Sequence, residues 1–421
     1  MRFLYNILII ITRFFLRVIA LFNKKIKLFV EGRKDTFQKL EKNISKSDKT
    51  IWIHCASLGE FEQGRPIIEK IKEKYKSHKI VLTFFSPSGY EVQKEYKKAD
   101  LVCYLPLDTK SNAQKFIELV HPEMAIFVKY EFWPNILNEL KKQHIETILI
   151  SGIFRKSQVF FKPFGKGMRK SLKAFSHFFV QDINSQKLLK SIGFDNVIVS
   201  GDTRFDRVSE ITKQDNSLDF IEEFKQNKTV LVAGSTWKEG ENLLVDYINN
   251  QASDDEKFIF APHNINQKEI KVLQNSINKK TVLFSEITSA PLSTHKSKIS
   301  EAQVFIIDTI GILTKIYSYA DFAYVGGGFA TGLHNVLEPA TFGKPILIGP
   351  HYKKFNEAID LVNLEGCLVV NSQDELNKQL NLLFSDADYR KERGNINKKY
   401  IADNIGATSK VLEYISTKIL N

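Results

Sequence analysis

Short apolar runs alternate with amphipathic segments along the first half of the chain. Runs of strand length occupy residues 51–54, 80–83, 102–104, 124–128, 145–150, 177–180 and 197–200. The segments between them place apolar residues at helical spacing, as in 61–74. Strands that alternate with helices favour a parallel sheet with helices on both faces. The first half is therefore predicted to form an α/β domain.

The same alternation resumes after a polar stretch at 208–228, which is predicted to be a linker. Further runs of strand length follow at 229–233, 258–261, 304–307, 322–325 and 345–349. Because a chain of 421 residues exceeds the size of one ordinary core, two domains are expected. We place them at 30–207 and 225–405, each with a Rossmann-like fold.

Three loops of the first domain carry side chains suited to catalysis. Glu60 begins a helix after the first strand, Glu131 follows the fourth strand, and Arg204 lies after the last one. Ligands of parallel sheets bind beyond the carboxyl ends of the strands, so these side chains are expected at one edge. Singly, each has a plainer interpretation: a first-turn carboxylate, a helix cap or a surface arginine. Their convergence favours a catalytic site.

A glycine-rich stretch at 321–351 dominates the second domain. Residues 326–328 are all glycine and follow a strand, and a short helix is predicted to begin near His334. Glycine turns let backbone N–H groups approach a phosphate, and a helix start adds a positive dipole end. A glycine triplet alone is equally typical of a structural turn. Asn335 and Glu338, however, would share one face of the helix and reach the same ligand.

A second anion-binding geometry is predicted where the first strand of this domain ends. The sequence GSTW places small hydroxyl side chains and backbone N–H groups before a helix. Candidate phosphate contacts in the two loops are Ser235, Thr236, Gly327 and Gly328. The second domain is therefore predicted to hold a nucleotide.

The net charge limits the possible binding partners, and the cysteine content indicates the redox state of the thiols. The chain has 60 Lys and Arg against 48 Asp and Glu, a formal net charge of +12. This excess fits an anionic membrane surface or phosphorylated substrates, and without zinc-finger or RNP-like motifs no nucleic-acid partner is expected. Three widely separated cysteines indicate reduced core thiols. Asp386 and Asp388 are interpreted as helix-start residues, so no metal site is predicted.

The N-terminal segment is strongly apolar but interrupted by cations. Its polar positions share one stripe of a helix: Arg2, Asn6, Arg13, Arg17 and Lys24. The pattern predicts an anchor helix over 1–24 that lies in or dips into the membrane interface, its cations toward phospholipid headgroups. One alternative is a transmembrane helix, in which two central arginines would cost about 2.5–3.5 kcal/mol each. The other is a helix packed on its own domain.

Several motifs occur in a characteristic order. They are WIHCASLGEFEQGRPII, TFFSPSGYE, EFWPN, GDTRFD, APHN, DTIGIL and GGGFATGLHNVLEPATFGKPILIGPHYKKF. From about residue 52 to about residue 355 this series resembles the Kdo transferases, which transfer 3-deoxy-D-manno-oct-2-ulosonic acid (Kdo) from CMP-Kdo to the lipid A precursor. The resemblance implies a GT-B fold, with an acceptor-binding and a CMP-Kdo-binding Rossmann-like domain facing each other across a cleft. An N-terminal membrane-associated helix would precede them.

The resemblance also implies roles for individual residues. Glu60 would be the catalytic general base, and Glu131 and Arg204 would stabilise the transition state, although the family usually has lysine at the latter position. CMP would be bound by Pro262, His263, Ile310, Gly311, Ile312, Asn335, Val336, Leu337 and Glu338. Because the family commonly has glutamate at the position of Ile312, contacts there would come from the backbone. A C-terminal helix at 406–421 would pack across the first domain.

The predicted function is inverting transfer of Kdo from CMP-Kdo to a lipid A precursor (lipid IVA) in lipopolysaccharide core biosynthesis. No metal or other cofactor is expected, and the site of action would be the cytoplasmic side of the inner membrane. One alternative is another GT-B sugar transferase or epimerase that uses a UDP-sugar. The other is a non-catalytic, membrane-bound nucleotide-sugar sensor, against which the presence of Glu60 argues.

Overall fold

The computed structural model describes residues 2–288, 291–330 and 332–419. It divides into two compact units: unit 1 comprises Met1–Arg207 and Asn404–Asn421, and unit 2 comprises Val208–Asp403. Met1 of the predicted anchor helix lies outside the described residues, and so do residues 420–421 of the predicted C-terminal helix. Of Arg2, only the backbone is described.

Unit 1 contains a seven-stranded parallel sheet in the order β3-β2-β1-β4-β5-β6-β7. The strands are β1 (Lys49–Cys55), β2 (His78–Phe84), β3 (Leu101–Tyr104), β4 (Pro122–Val128), β5 (Glu146–Gly152), β6 (His177–Val180) and β7 (Val197–Val199). The helices are α1 (Arg2–Ile19), α2 (Lys24–Glu31), α3 (Thr36–Asn43), α4 (Leu58–Lys74), α5 (Pro87–Gln93), α6 (Lys110–Val120), α7 (Pro134–Lys142), α8 (Lys166–Leu172), α9 (Ile183–Lys190) and α10 (Thr203–Ile211), which continues into unit 2. Two 3-10 turns are Val159–Phe161 and Pro163–Gly165.

Unit 2 contains a second seven-stranded parallel sheet in the order β10-β11-β9-β8-β12-β13-β14. The strands are β8 (Thr229–Thr236), β9 (Glu256–Pro262), β10 (Thr281–Leu283), β11 (Val304–Ile306), β12 (Phe322–Val325), β13 (Ile346–Ile348) and β14 (Cys367–Val369). The helices are α11 (Asp219–Lys225), α12 (Lys238–Asn250), α13 (Gln267–Ser276), α14 (Phe284–Ile287), α15 (Lys296–Glu301), α16 (Leu313–Ile316), α17 (Leu337–Thr341), α18 (Asn356–Asn363), α19 (Gln373–Ser385) and α20 (Ala387–Asn404). Two 3-10 turns are Leu292–Thr294 and Tyr317–Tyr319, and a last helix, α21 (Ala407–Lys418), belongs to unit 1.

The apolar runs become strands because both faces of each sheet are covered. In β1, Ile51, Trp52 and Ile53 are all fully buried. Trp52 packs into the core on one face of the sheet, and the two isoleucines pack into the core on the other. A strand buried on both faces needs apolar residues at every position rather than at every second one.

Each sheet has a point where the chain reverses its direction of growth. In unit 1 this switch lies between the neighbouring strands β1 and β4, and in unit 2 it lies between β8 and β12. The crevice beyond the carboxyl ends of two such strands is the usual ligand site of open α/β sheets. The loops after these four strands are therefore the places to look for function.

The stretch predicted to be a linker is partly a structural element of unit 2. It contains α11, whose Ile221 and Phe224 are fully buried in the core of that unit. Two apolar residues three positions apart are enough to anchor a short helix, even in a polar segment. Unit 2 accordingly begins at Val208 and not at residue 225.

The last helix returns to unit 1. Val411, Ile415 and Ile419, spaced four apart, pack into the same core as β1 and α4. The carboxylate of Asp206 accepts a hydrogen bond from the backbone N–H of Thr408, at 2.7 Å, in the first turn of α21. A carboxylate at that position satisfies an otherwise unpaired helix N–H group.

Helix α1 is attached to unit 1 by polar contacts. The hydroxyl of Tyr5 donates to Asp108 Oδ2 at 2.8 Å, and Asn135 Nδ2 donates to Asn6 Oδ1 at 2.7 Å. Much of the rest of its circumference is apolar and exposed, at Ile7, Leu8, Ile10, Ile11, Phe14, Phe15, Val18 and Ile19. No helix in the described part of the chain combines the length and apolar character that crossing a membrane requires.

Candidate active site

Glu60 lies at the switch point of unit 1, where β1 leads into α4. It occupies the first turn of the helix and is only 7% exposed. The hydroxyl of Ser57 donates to its Oε2 atom, and Lys129 Nζ lies 3.6 Å from its Oε1 atom. A carboxylate near a helix N-terminus is favoured by the backbone dipoles. The contacts with Ser57 and Lys129 therefore hold the Glu60 carboxylate in one orientation.

Glu131 follows β4, on the other side of the switch point. The indole N–H of Trp133 donates to Glu131 Oε2 at 3.1 Å, and His54 Nε2 lies 3.6 Å from the same oxygen. His54 is completely buried, and its Nδ1 atom is 2.9 Å from Thr83 Oγ1. Strand β1 and the loop after β4 thus supply the groups that orient Glu131.

The two carboxylates lie close enough to affect the same neighbouring groups. Burial raises the pKa of the Cys55 thiol, and Glu60 and Glu131 raise it further. Burial likewise raises the pKa of the Tyr130 phenol, with Glu60 as the larger of the two carboxylate contributions. The structure therefore brings together two of the three residues that the sequence proposes for catalysis.

Arg204 belongs to α10 and not to a loop, because the helix already begins at Thr203. Its Nε and Nη2 atoms contact Oδ2 of the buried Asp202 at 2.9 and 2.8 Å. Gln63 Nε2 donates to the same carboxylate at 3.1 Å. Since Gln63 stands one turn after Glu60 in α4, Asp202 connects the arginine to the helix of the acid group.

Two functional candidates, Lys129 and Ser151, are not predicted from the sequence, whereas Ser235 is already a predicted phosphate contact. Lys129 stands between β4 and Glu131, but a loop lysine normally lies in solvent, so nothing in the sequence marks it. In the structure it has a φ of +75°, and Ser151 and Ser235, at the ends of β5 and β8, have φ values of +49° and +51°. Non-glycine residues rarely adopt this conformation, and they concentrate at functional sites. All three stand at the carboxyl edge of a sheet.

In unit 2 the glycine loop after β12 packs directly against other backbone segments. Gly326 N–H donates to the carbonyl oxygen of Gly234 at 2.9 Å, and the N–H of His334 donates to that of Gly326 at 3.1 Å. A Cβ atom on Gly328 would lie 2.7 Å from the backbone nitrogen of Gly349. This loop therefore needs glycine for close backbone contact, as well as for any approach to a ligand.

Three aromatic rings stack beside this loop. Trp237 lies over His263 at 4.9 Å between ring centroids, and His263 is 4.4 Å from His334. The indole N–H of Trp237 donates to His334 Nε2 at 2.9 Å. Burial, reinforced by His263, lowers the pKa of His334 to about 4, so the ring is neutral at pH 7. Because Nε2 accepts a hydrogen bond, its ring proton is on Nδ1.

The carboxylate of Glu338, in one predicted CMP-binding segment, is hydrogen-bonded on both sides. Glu338 accepts from Asn335 Nδ2 at 3.1 Å and from Thr314 Oγ1 at 2.8 Å. Thr314 comes two residues after Ile312, which packs against the core of unit 2, whereas Ile310 is 83% exposed. Glu338 therefore contacts the helix α16 that directly follows the segment at 310–312.

The helix of this stretch begins later than predicted. It starts at Leu337, is five residues long, and leaves His334 and Asn335 in the preceding loop. The side-chain oxygen of Asn335 accepts from Leu337 N–H at 3.1 Å, an Asn turn that delays the helix. Val336 and Leu337 are buried, so only their backbone atoms are suited to contact a ligand.

The loop after β8 differs from its predicted role in one respect. The hydroxyl of Thr236 donates to Glu241 Oε1 at 2.6 Å, so its proton is already used inside unit 2. The carbonyl oxygen of Thr236 accepts from His263 N–H at 3.0 Å, which places Pro262 and His263 next to this loop. A cavity of about 430 Å³ opens beside Thr236, Trp237 and Pro262. Its volume lies within the usual range of small-molecule sites.

Comparison with known sequences shows a similarity to one family. The profile of the family described as "3-Deoxy-D-manno-octulosonic-acid transferase (kdotransferase)" matches residues 31–207. The chain is 26% identical over 376 residues to the 3-deoxy-D-manno-octulosonic acid transferase of Haemophilus influenzae, covering 87% of this chain and 86% of that one. Residues 31–207 thus match a Kdo transferase domain, and the chain is similar to Kdo transferases over most of its length. The corresponding protein of Aquifex aeolicus is 27% identical over 352 residues, covering 82% and 89% of the two chains.

Comparison with solved structures shows a GT-B-like α/β fold. The UDP-GlcNAc 2-epimerase of Neisseria meningitidis superposes with a TM-score of 0.59 at 14% identity, covering 88% of this chain and 100% of that one. A 2-epimerase from Listeria monocytogenes gives 0.58 at 9% identity, covering 88% and 96%. At these identities the likeness shows the fold alone. The resemblance to Kdo transferases stated above is confirmed by the sequence relatives.

Proposed function

We propose that the protein transfers Kdo from CMP-Kdo to a phosphorylated lipid A precursor, lipid IVA, in lipopolysaccharide biosynthesis. The observation that carries the proposal is the likeness to Kdo transferases over most of the chain. Two features of the structure support it: an oriented acid group at the switch point of unit 1, and a glycine loop with a hydrogen-bonded carboxylate at the switch point of unit 2.

In this reaction Glu60 removes the proton from the primary hydroxyl of the acceptor. The oxygen then attacks the anomeric carbon of Kdo from the face opposite CMP, which inverts that centre. Ser57 and Lys129 hold Glu60 in place for the proton transfer. Glu131 and Arg204 stabilise charge as the transition state forms, and Arg204 would pair with the Kdo carboxylate or with the phosphate.

The departing CMP gains negative charge on its phosphate. Backbone N–H groups of the glycine loop supply donors of the kind that stabilise such charge without reorganisation. The Nδ1–H of neutral His334 is a further donor beside this loop. Glu338 and Asn335 would bind the ribose hydroxyls, because an oriented carboxylate suits a sugar diol.

We expect replacement of Arg204 by alanine to lower kcat/KM by about two to three orders of magnitude, because an oriented cation is lost from the transition state. Lysine should restore only part of the activity, since it keeps the charge but not the two-point contact with Asp202. Steady-state kinetics of CMP release measures both effects. Arg207→Ala, one turn later on α10, is the matched control and should stay near wild type. Equal losses in both variants would contradict the assignment.

We also propose that the reaction needs no metal ion, because backbone amides and cations supply the charge stabilisation. Transfer in excess EDTA should therefore proceed at the rate seen without chelator, and added Mg²⁺ should not raise it. The rate of CMP formation in chelator-treated enzyme is the measurement. A loss of activity that Mg²⁺ restores would show that the proposal is wrong.

The function itself is tested by incubating full-length protein with CMP-Kdo, generated in situ, and a tetraacylated lipid A precursor. Mass spectrometry should show the precursor gaining one Kdo unit, and further increments would reveal repeated transfer. UDP-GlcNAc offered in place of CMP-Kdo should give no product. If the protein is folded but CMP-Kdo is not consumed, CMP-Kdo is excluded as the donor and the UDP-sugar alternative is favoured.

The place of action is proposed from α1 and from the lipid nature of the acceptor. A helix whose apolar residues are exposed, in a chain of net charge +12, suits the cytoplasmic surface of the inner membrane. We propose that residues 1–24 anchor the enzyme there. Fractionation of cells that express the full-length chain and a chain lacking these residues would test the anchor.

A further inference from the structure

A cavity at the base of α1 combines clustered cations with apolar walls. It has a volume of about 240 Å³ and lies between α1, α2, α3 and the loop after β3. Its charged lining residues are Arg13, Arg17, Arg33 and Lys34, and the described residues that line it include no Asp or Glu. Its apolar lining residues are Leu16, Phe29, Val30, Phe37, Pro106 and Leu107.

The cations of this cavity have no carboxylate partner among the described ion pairs. Arg33 is held by neutral groups only: its Nε donates to the Leu105 carbonyl at 2.9 Å, its Nη1 donates to the Phe29 carbonyl at 2.7 Å, and its guanidinium lies 3.5 Å from the centroid of the Phe29 ring. Burial lowers the pKa of Arg33 to about 9, which leaves it charged at pH 7. Clustered like charges repel one another, and an anion between them removes that repulsion.

The surroundings indicate what kind of anion fits. Phe14, Phe15 and Val18 on the same helix expose their side chains, and Leu21 and Phe22 beyond its end are 77% and 87% exposed. An apolar surface next to a cationic cavity matches a molecule with an anionic head and a hydrocarbon tail. With α1 fixed to unit 1 through Tyr5 and Asn6, immersing its apolar face would bring the cavity to the level of the headgroups.

We propose that this cavity binds the phosphate of an anionic bilayer phospholipid, with Arg13, Arg17 and Lys34 as the principal phosphate ligands. The inference rests on the proposed membrane association and adds a specific lipid site to it. It also changes the role of the two helix arginines. Arg13 and Arg17 line a pocket that one lipid phosphate enters. The sequence alone predicts only that they point toward the layer of headgroups.

The test is sedimentation of the full-length protein with vesicles. One preparation is phosphatidylcholine alone, and the other contains phosphatidylglycerol as well. Arg13→Gln/Arg17→Gln should weaken binding to the anionic vesicles on the order of 30-fold, since each cation near such a surface contributes roughly fivefold. Its weak binding to phosphatidylcholine should not change. Near-UV circular dichroism confirms that the variant is folded.

Lys46→Gln/Lys76→Gln is the matched control. These exposed lysines precede β1 and β2, at the opposite sheet edge from the contacts of α1. An equal loss of binding in both double variants would overturn the proposal, because the change in net charge alone would explain it. Absence of vesicle binding by the wild type would also overturn it. A raised KM of the arginine variant for detergent-dispersed acceptor would also overturn it, in favour of the acceptor as the bound lipid. Vesicle binding needs no donor, so failure here is distinguishable from failure of the proposed transfer reaction.

Discussion

Replacement of Glu60 by glutamine is expected to lower kcat for Kdo transfer by about two to four orders of magnitude, the range for loss of a general base. Glutamine keeps the size of the side chain and can still accept a hydrogen bond from Ser57, but it cannot take a proton from the acceptor hydroxyl. Affinity for CMP, which is proposed to bind unit 2, should change little. Product formation followed by mass spectrometry and equilibrium binding of CMP measure the two quantities separately.

Glu69→Gln is the control for this substitution. Glu69 lies on the same helix as Glu60, and its Oε1 atom contacts Arg65 at 2.8 Å near the surface. Removing that charge should leave turnover unchanged, because surface ion pairs contribute little. Normal turnover by the Glu60 variant would remove Glu60 from the mechanism as general base, whereas absence of turnover by the wild type would favour the non-catalytic sensor considered from the sequence.

The strands and their functional loops were accessible to sequence reasoning for a simple physical reason. Parallel strands buried on both faces are short continuous apolar runs, so β1 and β4 stand out from the helices between them. Their carboxyl ends meet at one edge by geometry, which predicts that Glu60 and Glu131 lie on the same side. No knowledge of side-chain packing is required for this step.

The partners of those residues depend on strand order, which the sequence does not specify. β1 and β4 are neighbours, so the buried His54 reaches Glu131. Likewise Asp202, in the turn after β7, reaches Gln63 on α4. These contacts join residues that are far apart in the chain. The sequence around each histidine, aspartate or glutamine does not indicate which distant residue it will contact.

Local hydrogen bonding explains why the helix after the glycine loop was predicted too early. Periodicity of Asn335 and Glu338 is compatible with a helix that contains both. The amide oxygen of Asn335 instead accepts from the N–H of Leu337, and only the segment after Val336 is helical. The two side chains still meet, at 3.1 Å, so the predicted proximity survives although the predicted helix does not.

Alanine at Gly327 is expected to weaken CMP binding by roughly tenfold to a hundredfold, because hydrogen bonds to a charged phosphate contribute about 1.5–3 kcal/mol each. The residue has a φ of +88°, which side chains rarely adopt, and a Cβ atom would lie 2.1 Å from the carbonyl oxygen of Gly332. Because this oxygen belongs to the backbone, no side-chain rotation can relieve the overlap. The loop must therefore move, and its N–H groups with it. Isothermal titration with CMP measures the effect.

Gly332→Ala separates conformational strain from displacement of the loop. Gly332 also has a positive φ, +110°, but nothing lies within 4 Å of the position its Cβ would take. Alanine there should cost only the backbone preference, roughly 1–2 kcal/mol of stability, with CMP affinity much closer to wild type. If both alanine variants bind CMP as the wild type does, the glycine loop is a structural turn, the plainer interpretation that its sequence also permits. If Gly327→Ala alone loses binding while its thermal unfolding resembles that of Gly332→Ala, the loop positions the donor.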